Sequence, residues 1–509
     1  MLLAIDQGTT GTTALLIDKN LQVLGRSTQE FPQHYPKPGW VQHEAAEIWA
    51  SLERAVTTCL AAAKADPRAI KAIGITNQRE TTCLFDRAGK ALHPFIVWQC
   101  KRSEPYCAQL KAAGHEALFR HKTGLMLDPY FSATKLMWLF DTYPELKAAA
   151  QKGQALFGTI DSWLLYRFSG GAAHATDATN ASRTLLMDLD TLAYDSELLG
   201  ITGVPAACLP RIGKSSEIYG TTKGLGFLPD GIPIAALVGD QQGALFGQAC
   251  FDAGECKITF GTGCFLLLNT GKALKRSSAG LLSSVAVALP SHTHYCLEGS
   301  AFIGGAAVQW LRDGLEIITH SSDIEALAAT VAETGDVAFV PALAGLGAPH
   351  WNPLARGALV GLSRDTGRGH IARAVEEGIA MQNVDIIEAM AKDAGAISLL
   401  KVDGGAAGDN LLMQIQSDFA GVACVRPSMT ESTALGAAAL AGLAVGVFEN
   451  TDTIKQAWKK DRVFEPKLSA DKRQRQRDKW QRAVKAVQGL AGSQLPIQAK
   501  TPASSADKT

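Results

Sequence analysis

Three stretches of this 509-residue chain place a carboxylate and glycines where an apolar run stops: Ile5-Asp6-Gln7-Gly8-Thr9-Thr10, Val238-Gly239-Asp240-Gln241-Gln242-Gly243 and Val402-Asp403-Gly404-Gly405-Ala406. A carboxylate at the mouth of a buried strand is held rigidly yet reaches a cleft, and glycines after it let backbone N–H groups close on an anion. Threonine hydroxyls add donors. One Asp-Gly pair is an ordinary turn; three such stretches, with Gly261-Thr262-Gly263 as a fourth, point to a phosphate site shared between two domains. No G-x-x-x-x-G-K-[S/T] stretch occurs, and the Lys, His-Arg-Asp and Asp-Phe-Gly set of protein kinases is missing, so neither of those phosphate-binding classes applies.

Groups placed this way need strands behind them. Leu2 to Ile5 is an apolar run, Asp6 to Thr12 a turn, Thr13 to Ile17 a second run, Asp18 to Asn20 a turn and Leu21 to Leu24 a third strand. The pattern returns half a chain later: Lys257 to Phe260, the turn Gly261 to Gly263, then Cys264 to Leu268 closed by Asn269 to Gly271. Helical spacing of apolar residues marks Ala45 to Ala63 and Ile371 to Ala391, and Ser432 to Phe448 reads as a buried helix rich in Ala and Gly. Gly/Thr turns joined to β-meanders, twice, suggest an α/β fold of two actin-like (ribonuclease H-like) domains with a nucleotide- and substrate-binding cleft between them. The first domain is expected over 1–247 and the second over 248–490, with 491–509 a disordered tail. Asp471 to Gln488 reads as a basic, solvated helix docked through Trp480, Val484 and Val487.

Composition narrows the partners. Lys+Arg and Asp+Glu both number 49, so no net charge draws the chain to nucleic acid or an anionic membrane. Hydrophobic residues at 47% support cored domains rather than disorder. Ten cysteines without a C-x-x-C pair fit reduced, buried thiols in a cytoplasmic protein, and no stretch is apolar for long enough to insert in a membrane. His292 and His294 read as an exposed strand pair without a third ligand, and His350 as structural.

Several longer motifs resemble the FGGY carbohydrate kinases. They are Leu3 to Thr10, Gly74 to Thr82 (GITNQRETT), Ile96 to Cys100 (IVWQC), Asp128 to Lys135 (DPYFSATK), Gly239 to Gly243, Phe260 to Phe265 (FGTGCF), Gly345 to Trp351 (GLGAPHW) and Val402 to Gly405. Asn77-Gln78-Arg79-Glu80 and Asp128-Pro129-Tyr130-Phe131 are similar to the branch that phosphorylates glycerol. The resemblance implies ATP and Mg²⁺ as cofactors, glycerol as substrate and a dimer or tetramer of identical chains. Asp6 would help hold Mg²⁺, while Gly8, Thr9, Thr10, Gly11 and Thr13 lie at the phosphates. Arg79, Glu80, Tyr130, Asp240 and Gln241 would bind the polyol, with Trp98 and Phe265 along its carbon edge. Thr262, Gly305, Gln309, Gly405 and Asp409 would contact the nucleotide, and Asp240 would be the catalytic base. Arg supplies only donors and Glu only acceptors, so Arg79-Glu80 suits a small neutral molecule recognised by its hydroxyls.

Three positions depart from that family's pattern. Thr13 stands where many members carry arginine, Asp409 where they carry asparagine, and the loop Lys223 to Ile232 lacks the arginine with which some bacterial members bind fructose 1,6-bisphosphate. Two other readings stand beside the first. One is a kinase of the same family for another polyol or a ketose; the other is an actin- or Hsp70-like ATPase with no small-molecule acceptor.

Overall fold

The apolar runs at the start of the chain build a six-stranded sheet from β1 (Leu2–Gln7), β2 (Gly11–Ile17), β3 (Val23–Glu30), β4 (Ala72–Asn77), β5 (Ser216–Thr221) and β6 (Pro233–Gly239), in the order β5-β6-β4-β1-β2-β3. The computed structural model describes residues 1–492. A second, seven-stranded sheet comprises β7 (Glu255–Phe260), β8 (Cys264–Gly271), β9 (Leu282–Ala288), β10 (Thr293–Ala301), β11 (Leu399–Asp403), β12 (Cys424–Pro427) and β13 (Lys460–Phe464), in the order β9-β10-β8-β7-β11-β12-β13. In each sheet an antiparallel meander (β1-β2-β3; β7-β8-β10) is extended by two parallel strands (β4, β6; β11, β12) and closed by an antiparallel one. The expected duplication is therefore present, with β9 as an addition to the second copy.

The helices that cover these sheets are α1 (Ala45–Ala63), α2 (Asp240–Gly247), α3 (Arg368–Ala394), α4 (Ser432–Ala444) and α5 (Ala470–Gly492). One face of the first sheet packs on α1 through Ile48, Leu52, Val56 and Leu60. Its other face packs on α4, which comes from the far end of the chain and contributes Ala434, Leu435, Ala437, Ala438 and Leu440. Small residues on α4 reflect this crowding. A Cβ on Gly436 would meet the Gly243 carbonyl of α2, and a Cβ on Gly74 of β4 would meet the Ala437 carbonyl. α5 is docked by Trp480, Val484 and Val487, all buried, as its sequence implied.

Some boundaries differ from the sequence expectation. The third strand starts at Val23, not Leu21, because Asp18 Oδ1 accepts the N–H groups of Asn20 (2.8 Å) and Gln22 (2.9 Å) and Leu21 takes a left-handed φ of 61° in that turn. β8 runs through Asn269 to Gly271 rather than ending before them, with a register shift there and the Asn269 side chain accepting the Gly271 N–H at 2.8 Å. α5 extends to Gly492, into the segment read as a tail; 493–509 lie outside the described residues. All ten cysteines are buried and free. No helix among the described residues is long and apolar enough to cross a membrane.

Candidate active site

The register of the first sheet brings three sequence-distant segments together. Gln7 pairs with Asn77 across β1 and β4, and Asn77 pairs with Gly239 across β4 and β6. Parallel strands about 4.8 Å apart thus deliver Asp6, Arg79-Glu80 and Asp240 to the C-terminal end of the sheet's central strands. After β4 the backbone turns sharply at Glu80, which has φ 61°, and the Thr81 N–H donates to the Arg79 carbonyl at 2.7 Å. A left-handed glutamate is a strained conformation of the kind that collects at functional sites.

Arg79 and Glu80 are buried, not surface groups, and are tied to Glu298 and Arg183, which no sequence pattern indicated. Arg79 donates to Glu298 from Nη1 (2.6 Å) and Nη2 (2.8 Å) and to Gln242 Oε1 (3.2 Å), while its Nε lies 3.2 Å from Asp240 Oδ1. Arg183 donates to Glu80 Oε1 at 2.6 Å, also reaches Glu298 (3.4 Å), and sits over the rings of Tyr130 and Phe131. Flanked by two guanidinium groups, Glu298 is held down at about 2 despite its burial. Burial pushes the Glu80 carboxyl up, an effect opposed by Arg183 and Arg79. It pushes Asp240 up as well, opposed chiefly by Arg79. Asp240 keeps 29% of its side chain exposed beside an Arg79 that is 2% exposed, so its carboxylate is the more open of the pair.

Aromatic residues form the neighbouring wall. Tyr130 meets Trp98 edge-on at 5.4 Å, and the Trp98 indole N–H donates to the Thr9 hydroxyl at 2.9 Å, linking this wall to the β1–β2 turn. The segment Asp128 to Phe131 is stapled from beneath by Lys135 of the helix Ser132–Thr142, whose buried ammonium donates to the carbonyls of Pro129 (2.6 Å), Tyr130 (2.6 Å) and Phe131 (3.1 Å). Desolvation lowers Lys135 to about 8. Gln241 accepts from Lys257 Nζ, which also donates to Thr259 (2.8 Å), and Phe265 stands across β7–β8 from Thr259.

Asp6 is pushed up to about 8 by burial, then by the nearby carboxylates of Asp240 and Glu431. The turn after it closes with the Gly8 N–H on the Gly11 carbonyl at 2.9 Å; Thr13, opposite Asp6 on β2, pairs its hydroxyl with that of Thr28 at 2.9 Å. In the second domain a cavity of about 440 Å³ opens beside the Gly261–Gly263 turn, lined together by Thr262, Gly305, Gln309, Gly405 and Asp409, the five residues that the resemblance assigns to nucleotide contact. Glu376 and Glu325 line it too, unannounced by any motif. Gly404, at φ 89°, brings this wall so close to β7 that a Cβ would strike the Phe260 backbone. Glu298, Arg183, Lys257 and Lys135 were likewise missed; only Lys135 lies inside a quoted motif.

Other histidines stay outside this chemistry. His292 and His294 are half-buried with ring centroids 4.5 Å apart, not fully exposed, and no group of three or more metal-ligating side chains exists among the described residues. His350 contacts Asp385 at 2.9 Å, the same carboxylate that receives the Trp480 indole N–H from α5, a structural role.

Comparison with known proteins agrees with this architecture. Residues 1–247 match the N-terminal domain of the FGGY family of carbohydrate kinases and residues 256–445 its C-terminal domain, so the chain belongs to that family. It is 56% identical to a glycerol kinase of Myxococcus xanthus over 95% of this chain and 98% of that one, and 50% identical to one of Bdellovibrio bacteriovorus over 96% and 99%. A crystal structure of Plasmodium falciparum glycerol kinase with ADP superposes with a TM-score of 0.90 at 36% identity, covering 96% of this chain and 98% of that one. A gluconate kinase of Lactobacillus acidophilus, at 24% identity and TM-score 0.87, shares the fold.

Proposed function

We infer that this protein is an ATP-dependent kinase that phosphorylates glycerol to sn-glycerol 3-phosphate. The observation that carries this reading is the convergence of Asp240, Arg79 and Glu80 at one end of the first sheet, beside aromatic rings that suit a three-carbon chain. Relatives of about half identity over nearly the full chain support the same activity. An acceptor-free ATPase would have no use for this buried corner, and relatives at about half identity favour glycerol over a ketose or a larger polyol.

In this mechanism Glu80 Oε1 is taken by Arg183, which leaves Oε2 to accept a glycerol hydroxyl. Arg79 commits its Nη groups to Glu298 and Gln242, so its main contribution is to hold Asp240 as a carboxylate and aim it. Asp240 accepts the proton of the attacking primary hydroxyl as its oxygen bonds to the γ-phosphorus and ADP departs; such a base supplies about 10²–10⁴-fold. Positioning and charge neutralisation supply the larger share. Trp98, Tyr130 and Phe265 cover the carbon side and Gln241 a further hydroxyl. Gly8, Thr9, Thr10, Gly11 and Thr13 offer the β1–β2 turn to the phosphates, and the second-domain cavity receives the nucleoside.

Asp6 is the side chain that would hold a divalent cation. Its carboxyl is buried and feels the negative charge of Asp240 and Glu431, effects that a hard cation bound there would offset. Held there, Mg²⁺ would neutralise charge on the phosphates. Ten reduced thiols support a cytoplasmic enzyme, and family resemblance supports a dimer or tetramer, which light scattering would determine.

The test is a substrate panel with ADP detection, run with the native chain and with Asp240→Asn. Glycerol-dependent ADP release by the native chain, absent with ketoses, is expected. Asp240→Asn should lose at least about 10²-fold in turnover while ADP binds within about threefold of native. ADP release that ignores the acceptor, or full turnover by the variant, would contradict the assignment.

A further inference from the structure

Glu376, on α3, is 1% exposed and lines the same cavity as Asp409. Neither of its carboxyl oxygens receives a hydrogen bond from any donor among the described residues. Its carboxyl instead faces that of Asp409 within hydrogen-bonding reach. Two carboxylates in that arrangement are both acceptors and repel. Two carboxyls with one proton between them form a charge-assisted hydrogen bond.

The surroundings decide which oxygen keeps the proton. Asp409 Oδ1 accepts the Leu412 N–H at 2.9 Å, capping the helix Asn410–Ala420, so Asp409 is the better-stabilised anion. From its own helix Glu376 is approached by Arg373, but that guanidinium is committed to Glu377 (3.2 Å) and to the Val331 carbonyl (3.1 Å). From the helix Asp323–Ala328, Glu325 adds a further negative charge, its Oε1 held by Asn410 at 3.4 Å.

We propose that Glu376 is a positioning residue of the nucleotide pocket: as a neutral acid it donates to the Asp409 carboxylate, and nucleotide affinity depends on that single shared proton. Burial, then Asp409, pushes Glu376 up to about 10, so the proton is retained at neutral pH. Removing the proton puts a second anion against Asp409, loosens its cap on Asn410–Ala420 and raises negative charge where an anionic ligand binds.

Only the identity of the ligand rests on the kinase reading, and the test needs no glycerol. ADP binding to the full chain is measured by titration calorimetry at pH 7.5 and 10.5 for native protein, Glu376→Gln and Glu376→Ala. Native Kd is expected to rise with pH by about threefold or more beyond any rise in Glu376→Gln, whose amide donates to Asp409 at both pH values. Glu376→Ala, which leaves Asp409 without that donor, should bind ADP about tenfold more weakly than Glu376→Gln at pH 7.5. Equal pH dependence in native and Glu376→Gln, or equal affinity of the Gln and Ala variants, would overturn the proposal. A chain that showed the expected pattern but no glycerol turnover would instead contradict the proposed function and leave this pair's role standing.

Discussion

Glu298 balances both arginines of the proposed polyol corner, accepting from Arg79 on each oxygen and from Arg183 at 3.4 Å. Glu298→Gln removes that charge while keeping the shape. Breaking one side of a buried pair costs about 3–5 kcal/mol, so the variant should unfold at clearly lower denaturant and lose kcat/KM for glycerol more than ADP affinity. A pH signature accompanies it. Glu298 is held at about 2 in the fold, below its ordinary 4.5, so its stabilisation is full above pH 4.5 and lost as pH falls towards 2. Over that window a single carboxylate contributes a slope approaching about 1.4 kcal/mol per pH unit. Urea melts from pH 5 to 3 should show a shallower decline for Glu298→Gln than for native protein; parallel declines would remove Glu298 from this role. The sequence carried no sign of this residue. Arg79 and Glu80 stood in a motif, whereas Glu298 lies on β10 and Arg183 follows a short helix, each isolated from other polar signals, and only the tertiary fold makes them neighbours.

Among elements, the segment Asp128 to Phe131 depends on Lys135 for its shape, because three of its carbonyls share one ammonium. Lys135→Met keeps the length of the side chain and deletes the donors. It should raise KM for glycerol by about tenfold or more, through misplaced Tyr130, with ADP affinity little changed. An unchanged KM would show that the loop holds itself. α4 makes a different demand. Gly436→Ala forces a Cβ onto the Gly243 carbonyl, and the loss should exceed about 1–3 kcal/mol, read as a fall in melting temperature. Two helices were foreseen in kind: α1 occupies the residues its periodicity marked, and α4 is the buried helix read over Ser432 to Phe448, which ends at Ala444 instead. Its destination was not legible, since apolar content says that a helix is buried but not that it crosses to the other domain's sheet. β3 was misplaced for a local reason, the Asx-type turn at Asp18 absorbing Leu21.

At the scale of the molecule, duplication places two Gly/Thr turns on two sheets, Gly8 to Gly11 after β1 and Gly261 to Gly263 after β7, and the first sheet's Arg79 meets Glu298 from the second. That duplication was readable because both copies repeat the strand–turn–strand pattern at half-chain spacing. Regulation is a property of the whole chain as well. The loop Lys223 to Ile232 contains no arginine, so millimolar fructose 1,6-bisphosphate is expected to leave the rate unchanged, and clear inhibition would contradict that. Phosphoryl transfer to glycerol rather than to water is the central claim. ³¹P NMR of the native enzyme with ATP and Mg²⁺, with and without glycerol, measures it directly. The predicted result is sn-glycerol 3-phosphate and ADP in equal amounts, with little inorganic phosphate in either sample. Inorganic phosphate accumulating at the same rate whether or not glycerol is present would contradict it.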